Sequence, residues 1–350
     1  MSSAPFRDRF LRACRRQPVD RTPVWFMRQA GRYLPEYREL RGDRDILETC
    51  KDPATVVEIS LQPLRRMDLD AAIVFSDIMV PLAGVGIDVR IEPGTGPLVG
   101  TPVRGASDIE RLRPLEPERD VPEALEAIRL LRKELDVPLI GFAGAPFTLA
   151  SYLIEGGPSR THERTKALMQ GDPATWHALM RALVTIVLPH LLAQAEAGAQ
   201  ALQVFDSWVG ALDRDDYRRS VQPHMRELFT HLEAELDDVP VIHFGVGTGE
   251  LLGEMAASGG DVIGIDWRVP VDEGWDRVGH DRAVQGNLDP AVIGAPWETV
   301  ERKTRDILDR VSGNDGHVFN LGHGVLPDTP PDTLARVVEL VHRETERSTA

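Results

Sequence analysis

The sequence VPVIHFGVGTGELLGEMAASGGDVIGI, residues 239–265, decides the fold because it holds two apolar runs separated by one helical pattern. Val239–Phe244 and Asp261–Ile265 are short, rich in β-branched residues and bounded by Gly, Pro or Asp, which predicts buried strands. Residues 249–258 between them form a helical pattern. A strand, a helical crossover and a second strand make a unit whose two strands run parallel.

The same alternation extends over most of the chain and predicts eight strands, separated by helical patterns that include Arg214–Leu236. No linker rich in Gly, Pro or Ser divides the sequence into halves. We therefore predict an α/β fold, a (β/α)8 barrel formed by residues 1–350 as a single domain, rather than two doubly wound domains. The predicted strands are Pro23–Phe26, Ala72–Phe75, Pro138–Phe142, Ala201–Phe205, Val239–Phe244, Asp261–Ile265, Ala283–Gly286 and His317–Leu321.

Residues 80–117 interrupt this alternation with several glycines among short apolar fragments. Such fragments separated by turn residues are typical of paired strands. We predict an inserted β-hairpin in the loop that follows the second strand.

The composition excludes some classes of protein. Lys and Arg number 40 against 55 Asp and Glu, a net charge of −15, which argues against a general nucleic-acid binder. Residues 1–10 lack the apolar core of a signal peptide, and no apolar run approaches the ~20 residues that span a membrane. We expect a soluble, cytoplasmic protein with no membrane partner.

Positive charge is concentrated near the N-terminus. Residues 1–44 hold 11 Arg and five acidic residues, a charge of +6, so the remaining residues carry −21. A solvated helix face explains Arg7–Arg16, whereas Arg28 and Arg32 need a separate explanation.

Metal and nucleotide chemistry are not indicated. Cys14 and Cys50 are interpreted as packing residues, and the chain has neither a CxxC nor an HExxH motif. Residues 245–250, GVGTGE, resemble a phosphate loop only weakly, and a helix N-terminus after the fifth strand explains them equally well.

The loops that follow the strands of a (β/α)8 barrel build its active site. Arg28 and Arg32 follow the first strand and would share one face if that loop were helical, and two guanidinium groups suit carboxylate ligands. The alternative for each is a structural ion pair with Glu36 or Asp43.

Two further candidates follow other strands. Asp77 comes after the second strand, where the alternative is a helix N-cap. His323 follows the last strand between Gly322 and Gly324, which leave room for a ligand, and the alternative is a histidine satisfied within its loop. The loop that contains Arg268 is interpreted as facing solvent.

The segment MRQAGRYLPE, residues 27–36, resembles the signature of the uroporphyrinogen decarboxylase family. Other segments resemble the blocks of that family in the same order: residues 75–78, 144–149, 152–157, 205–208, 265–267, 285–290 and 320–324. The resemblance implies a homodimeric barrel without a cofactor. It implies decarboxylation of the four acetate side chains of uroporphyrinogen III to methyl groups, giving coproporphyrinogen III in haem biosynthesis.

When the roles of the family's motif residues are transferred to the matching positions, the resemblance implies that five residues are catalytic. The same five residues, together with Ser207, are implied to bind substrate. A protonated pyrrole ring can act as the electron sink that other decarboxylases take from a cofactor. The rivals are a zinc- or cobalamin-dependent methyltransferase, which needs a His-x-Cys pair that is absent here, and a non-catalytic tetrapyrrole carrier. The five catalytic residues implied are Arg28, Arg32, Asp77, Tyr152 and His323.

Overall fold

Seven strands of the computed structural model pair in parallel, in chain order, to form one curled sheet, and two more strands form a separate antiparallel pair. The structure describes residues 7–92 and 94–347. The expectation that no signal peptide is present concerns residues 1–10, of which residues 1–6 lie outside the described part. The strands are β1 Ala72–Ile73, β2 Val89–Glu92, β3 Gly96–Val99, β4 Leu139–Gly144, β5 Ala201–Asp206, β6 Val241–Gly245, β7 Val262–Gly264, β8 Ala283–Gln285 and β9 His317–Val318.

The segment predicted as the first strand closes the sheet between β9 and β1. The backbone N–H of Phe319 donates to the carbonyl of Pro23 at 2.9 Å, and that of Asp70 donates to the carbonyl of Val24 at 2.8 Å. Val24 forms only an isolated parallel bridge with Phe319, so the predicted strand Pro23–Phe26 is wrong as a regular strand. Pro23 has no N–H, and the N–H of Val24 donates to the Asp70 side chain instead of to a ladder partner.

The predicted (β/α)8 barrel is confirmed, with short strands and helices that surround them.

The predicted helix Arg214–Leu236 is wrong as one helix, because it breaks at Val221. Pro223 cannot donate to the carbonyl four residues earlier, so the chain starts a second helix there. The helices are α1 Arg9–Cys14, α2 Pro35–Arg41, α3 Ile46–Cys50, α4 Pro53–Arg66, α5 Val80–Gly84, α6 Ala106–Ile109, α7 Pro117–Asp120, α8 Pro122–Glu134, α9 Pro146–Glu155, α10 Glu163–Gly171, α11 Pro173–Glu196, α12 Arg214–Ser220, α13 Gln222–Glu235, α14 Leu252–Ser258, α15 Val271–Val278, α16 Trp297–Val311 and α17 Pro331–Thr345.

The predicted hairpin is present within the insertion after β1. Strands β2 and β3 pair antiparallel, with Val89 opposite Val99 and Glu92 opposite Gly96. The N–H of Val99 donates to the carbonyl of Gly156 at 3.0 Å, so the hairpin is attached to the end of α9. The insertion therefore packs beside the helix that carries Tyr152.

The core lies in two layers, one inside the sheet and one between the sheet and the helices. Side chains of Trp25, Ile140, Ile242 and Phe244 fill the interior together with those of neighbouring strands. Two larger clusters pack the outer face of the sheet against the helices. Burial of this apolar surface is the main source of stability of such a fold.

Helix α11 is the one helix among residues 7–92 and 94–347 that is long and apolar enough to cross a membrane. Half of its most apolar stretch is buried, and the helix packs against β4, α9 and α13. The expectation that no apolar run approaches this length is therefore wrong for α11. Such a helix is weak evidence for a membrane, because core helices of barrels have the same composition.

Candidate functional site

The loop that carries Arg28 is held to the loop that follows β9. The N–H of Met27 donates to Oδ1 of Asn320 at 3.1 Å, and the N–H of Val325 donates to the carbonyl of Met27 at 2.9 Å. Arg28 has a left-handed backbone with φ of +61°, and the helix begins only at Pro35. Residues 27–34 form turns and bends and no helix. Arg28 and Arg32 therefore do not share the helical face that the sequence analysis considered.

Among the described residues, Arg28 and Arg32 lack the carboxylate partners that several of the preceding arginines have. Arg9 pairs with Asp20 and Asp70, whereas Glu36, the expected alternative partner, pairs with Arg66. In the part of the chain that the structure describes, neither Arg28 nor Arg32 has a carboxylate within ion-pair distance, and both are exposed. The structural alternative to ligand binding is therefore not realised for either residue.

Asp77 lies between β1 and α5, and it is not the helix N-cap considered from the sequence, because the N-cap residue of α5 is Met79. Its Oδ1 accepts a hydrogen bond from the N–H of Met79 at 2.9 Å, directly before helix α5. Its other oxygen has no hydrogen-bond partner among the described residues. Burial raises the pKa of Asp77, while the N–H of Met79 and the charge of Arg28 oppose the rise. Its ordinary pKa therefore does not apply in this site.

Tyr152 is a buried residue of α9. Its ring meets the ring of Trp208 edge to face, with centroids 5.9 Å apart. Burial raises the pKa of Tyr152 to about 12, with Asp77 adding to the rise and Arg28 opposing it. Tyr152 therefore keeps its proton near neutral pH and lies within electrostatic range of both Asp77 and Arg28.

His323 follows β9 and is enclosed by its neighbours. Burial, with the charges of Arg28 and Arg268 adding to its effect, lowers the pKa of His323 to about 4. Its Nδ1 accepts a hydrogen bond from the N–H of Gly324 at 2.6 Å, which places the ring proton of the neutral form on Nε2. His323 is therefore a neutral hydrogen-bond donor near pH 7.

The structure brings Arg28, Asp77, Tyr152 and His323 together, since Arg28 acts on the pKa of each of the other three. Ser207 lies at the end of β5 beside Trp208, and its hydroxyl has no hydrogen-bond partner among the described residues. Arg32 is exposed, and its charge acts on the phenol of Tyr37 rather than on this group.

The prediction from sequence missed two residues beside the site. Asp206 ends β5 fully buried; its Oδ1 accepts from the hydroxyl of Thr148 at 3.0 Å, and that hydroxyl accepts from the N–H of Trp208. Arg268 is exposed, as expected, but its charge also reaches His323. The polar residues after each strand were visible in the sequence, whereas their distances from one another were not.

The two cysteines and the glycine-rich loop, which could suggest a metal or a nucleotide, have the following surroundings in the structure. Cys14 and Cys50 are both buried, and they lie apart, because the thiol of Cys14 is near Asp261 and that of Cys50 is near Asp77. Within residues 7–92 and 94–347, no three His, Cys, Asp or Glu side chains are grouped to hold a metal ion. In the glycine-rich loop, the N–H of Gly247 donates to the carboxylate of Asp266.

The fold, with polar side chains gathered at the carboxyl ends of its strands, is that of the (β/α)8-barrel enzymes. Residues 5–344 match the family model described as uroporphyrinogen decarboxylase (URO-D). The chain is 59% identical over 346 residues to a uroporphyrinogen decarboxylase from Streptomyces coelicolor, covering 99% of this chain and 97% of that protein. It is 61% identical over 337 residues to one from Thermobifida fusca, covering 96% and 92%. The chain belongs to the uroporphyrinogen decarboxylase family, which confirms the resemblance.

Similar solved structures carry information on the fold only. A methyltransferase from Methanosarcina mazei has a TM-score of 0.80 at 20% identity and covers 97% of this chain and 99% of its own. A B12-independent methionine synthase from Shewanella has a TM-score of 0.55 at 14% identity, covering 83% and 88%. At such identities the likeness supports the barrel, and activity has to be argued from the site.

Proposed function

We propose that this chain catalyses the decarboxylation of the four acetate side chains of uroporphyrinogen III to methyl groups, giving coproporphyrinogen III in tetrapyrrole biosynthesis, without a cofactor. Membership of the family and similarity near 60% identity to uroporphyrinogen decarboxylases support the substrate and the reaction. The single observation that carries the proposal from the structure is the position of Arg28. This guanidinium, which has no carboxylate partner within residues 7–92 and 94–347, lies among Asp77, Tyr152 and His323 at the carboxyl ends of the strands.

The substrate explains a cationic site on an acidic protein. Uroporphyrinogen carries four acetate and four propionate groups, and a guanidinium binds a carboxylate through two parallel hydrogen bonds. Arg28 and Arg32 have no carboxylate partner in the described residues, so their charge is available for a ligand. We assign both residues to binding of the acidic side chains, with Tyr152, Ser207 and His323 as further hydrogen-bonding groups.

Asp77 is proposed to act on the pyrrole rings. One of its oxygens is occupied by the N–H of Met79, and the other is available to accept a hydrogen bond from a pyrrole N–H. Protonation of a pyrrole beside its acetate creates a cation that accepts the electrons of the breaking carbon–carbon bond. Carbon dioxide leaves, the exocyclic methylene that remains is protonated to a methyl group, and the ring gives up the proton that it had accepted. A negative charge held close to this cation, out of contact with bulk water, lowers the barrier to its formation.

The neutral state of His323 bears on how the proton is supplied. An imidazole whose pKa is about 4 carries almost no charge near pH 7, so it binds as a donor through Nε2–H rather than as a charged acid. An arginine is a still weaker acid. Burial raises the pKa of Asp77, which makes that carboxyl group more able to hold a proton than an ordinary aspartate.

The direct test is anaerobic incubation of the purified protein with uroporphyrinogen, followed by oxidation and chromatography of the porphyrins. We expect products with seven, six, five and four carboxyl groups to appear in turn. A protein that binds the ring tightly and releases it unchanged would instead be a carrier, and transfer of a methyl group would indicate a methyltransferase.

We also propose that the chain acts as a single domain, as a homodimer and in the cytoplasm. The family resemblance supports the dimer. The single domain is supported by the backbone hydrogen bond between Pro23 and Phe319, which helps to join the first and last parts of the sheet. Light scattering during size-exclusion chromatography should give twice the chain mass of 38.8 kDa. A single thermal transition in calorimetry would agree with one domain, and cell fractionation checks the location.

A further inference from the structure

Arg268 lies on the loop that follows β7, and three contacts hold it in place. Its Nη1 donates to Oδ2 of Asp266 at 2.7 Å, its backbone N–H donates to Oδ1 of the same residue at 2.9 Å, and its guanidinium lies 3.9 Å from the ring centre of Trp267. The amide of Asn287 donates to the carbonyls of Asp266 and Val269, which fixes the loop. The guanidinium is thus positioned before any ligand arrives.

Part of this guanidinium is left for a ligand. The side chain of Arg268 is 51% exposed, whereas that of Asp266 is 1% exposed. Asp266 also accepts a hydrogen bond from the N–H of Gly247, so its charge does not depend on Arg268 alone. Among the described residues, neither Nε nor Nη2 of Arg268 has a hydrogen-bond partner. These two donors form the edge that binds a carboxylate with two bonds.

The position of Arg268 connects it to the proposed site. The rings of Trp267 and His323 are 6.2 Å apart, and a methyl group added at Gly322 would lie 2.3 Å from the backbone nitrogen of Trp267. The loop of Arg268 therefore packs directly on the loop of His323. Arg28 approaches His323 as well, so two guanidinium groups act on this histidine.

We infer that Arg268 is an additional substrate-binding residue, which binds a carboxylate of the tetrapyrrole beside His323. The inference rests on the proposed function, because it takes the eight-carboxylate ring as the ligand. Arg28 and Arg32 alone leave most of those carboxylates without a cationic partner. Asp266 and Trp267 act as positioning residues, since they orient the guanidinium and do not themselves meet the ligand in this arrangement.

The test compares Arg268→Gln with Arg336→Gln in assays with uroporphyrinogen. Arg336 is a matched control because it is exposed on α17, outside the site, and its guanidinium lies 3.8 Å from the ring centre of Trp297. We expect Arg268→Gln to raise KM about tenfold with kcat little changed, as for loss of a charge-assisted hydrogen bond, and Arg336→Gln to change neither. Equal KM values for the two variants would overturn the inference, while an inactive wild-type protein would overturn the proposed function instead.

A second variant separates binding from a structural role. If Arg268 served only to neutralise Asp266, the double variant Asp266→Asn/Arg268→Gln would restore the wild-type KM, because no buried charge would remain unpaired. If Arg268 binds substrate, the KM of the double variant stays raised. The dependence of KM on salt concentration should also be weaker in Arg268→Gln and in the double variant than in the wild-type protein. Restoration of the wild-type KM would contradict the inference.

Discussion

A methyl group at Gly324 would lie 2.5 Å from Cδ of Arg28, so the loop that carries His323 packs directly on the side chain of Arg28. The neighbouring Gly322 meets the backbone of Trp267 in the same way, at 2.3 Å. The two glycines therefore allow the loop that carries His323 to approach both the loop that carries Arg28 and the loop that follows β7. His323 is held between two arginine-bearing loops because neither flanking residue has a side chain.

These contacts predict different effects for two similar substitutions. Gly324→Ala should displace the flexible side chain of Arg28 and lower kcat/KM by up to about a hundredfold with little loss of stability. Gly322→Ala should press on the backbone of Trp267 and destabilise the protein by about 1–3 kcal/mol. Steady-state kinetics and urea denaturation of both variants check this. An active Gly324→Ala variant would show that Arg28 can move without consequence.

Asp77→Asn should retain the fold, because the amide oxygen can still accept from the N–H of Met79. We expect a loss of about 3 kcal/mol of transition-state stabilisation, about a hundredfold in rate, since the negative charge beside the cationic pyrrole is removed. Asp213→Asn, at the exposed start of α12, is the control and should leave the rate unchanged. Turnover by Asp77→Asn near the wild-type rate would remove Asp77 from the mechanism.

Arg32→Lys should not behave as a conservative change. An ammonium group cannot reproduce a two-bond contact with a carboxylate, so we expect kcat/KM to fall about tenfold. Arg65→Lys is the control, because Arg65 makes a two-bond pair with Glu58 on the exposed face of α4, and surface pairs contribute little. If the two variants have the same kinetics as the wild-type protein, Arg32 does not bind substrate.

The raised pKa of Asp206 predicts how the stability of the protein depends on pH. Burial raises the pKa of Asp206 from 3.8 to about 7, so the folded protein holds this proton more tightly than the unfolded chain does. Stability from this group is full below about pH 4, is lost as the pH rises towards about 7, and is then constant; the loss is at most about 4 kcal/mol.

The substitution Asp206→Asn tests this dependence, because its amide oxygen still accepts from Thr148 and cannot ionise. Urea denaturation should show the variant more stable than the wild-type protein at about pH 8, with a smaller difference at about pH 5. A difference that is the same at both pH values would contradict the assignment.

Activity should survive exhaustive chelation, borohydride treatment and desalting. The reason is chemical: a protonated pyrrole supplies the electron sink for which other decarboxylases use a bound group. The treated protein would be checked for metal content and assayed with chemically reduced substrate in the dark without oxygen. If activity disappeared and returned only with one added cofactor, the proposed mechanism would be wrong.

Much of the fold could be predicted from short-range patterns. Seven of the eight predicted strands form in the sheet, and the hairpin lies inside residues 80–117, because apolar runs between turn residues report burial directly. Pro23–Phe26 does not form the regular strand that its apolar pattern predicts, because the carboxylate of Asp70, distant in sequence, takes the N–H of Val24 that a ladder would use. The apolar pattern continues through the break at Val221, so it predicts one helix although the sequence contains Pro223.

The sequence by itself determined the alternation of strands and helices, the family, and which polar residues follow each strand, since all of these depend on local order along the chain. Only the tertiary structure decided which of those residues meet. It placed Arg28 among Asp77, Tyr152 and His323, left Arg32 apart from them, and brought Arg268 beside His323. It also decided the charge state of His323, because burial depends on side chains contributed by other loops. Barrel closure sets these distances, and closure joins residues 23–24 to 319 and 70 through backbone hydrogen bonds that no local pattern records.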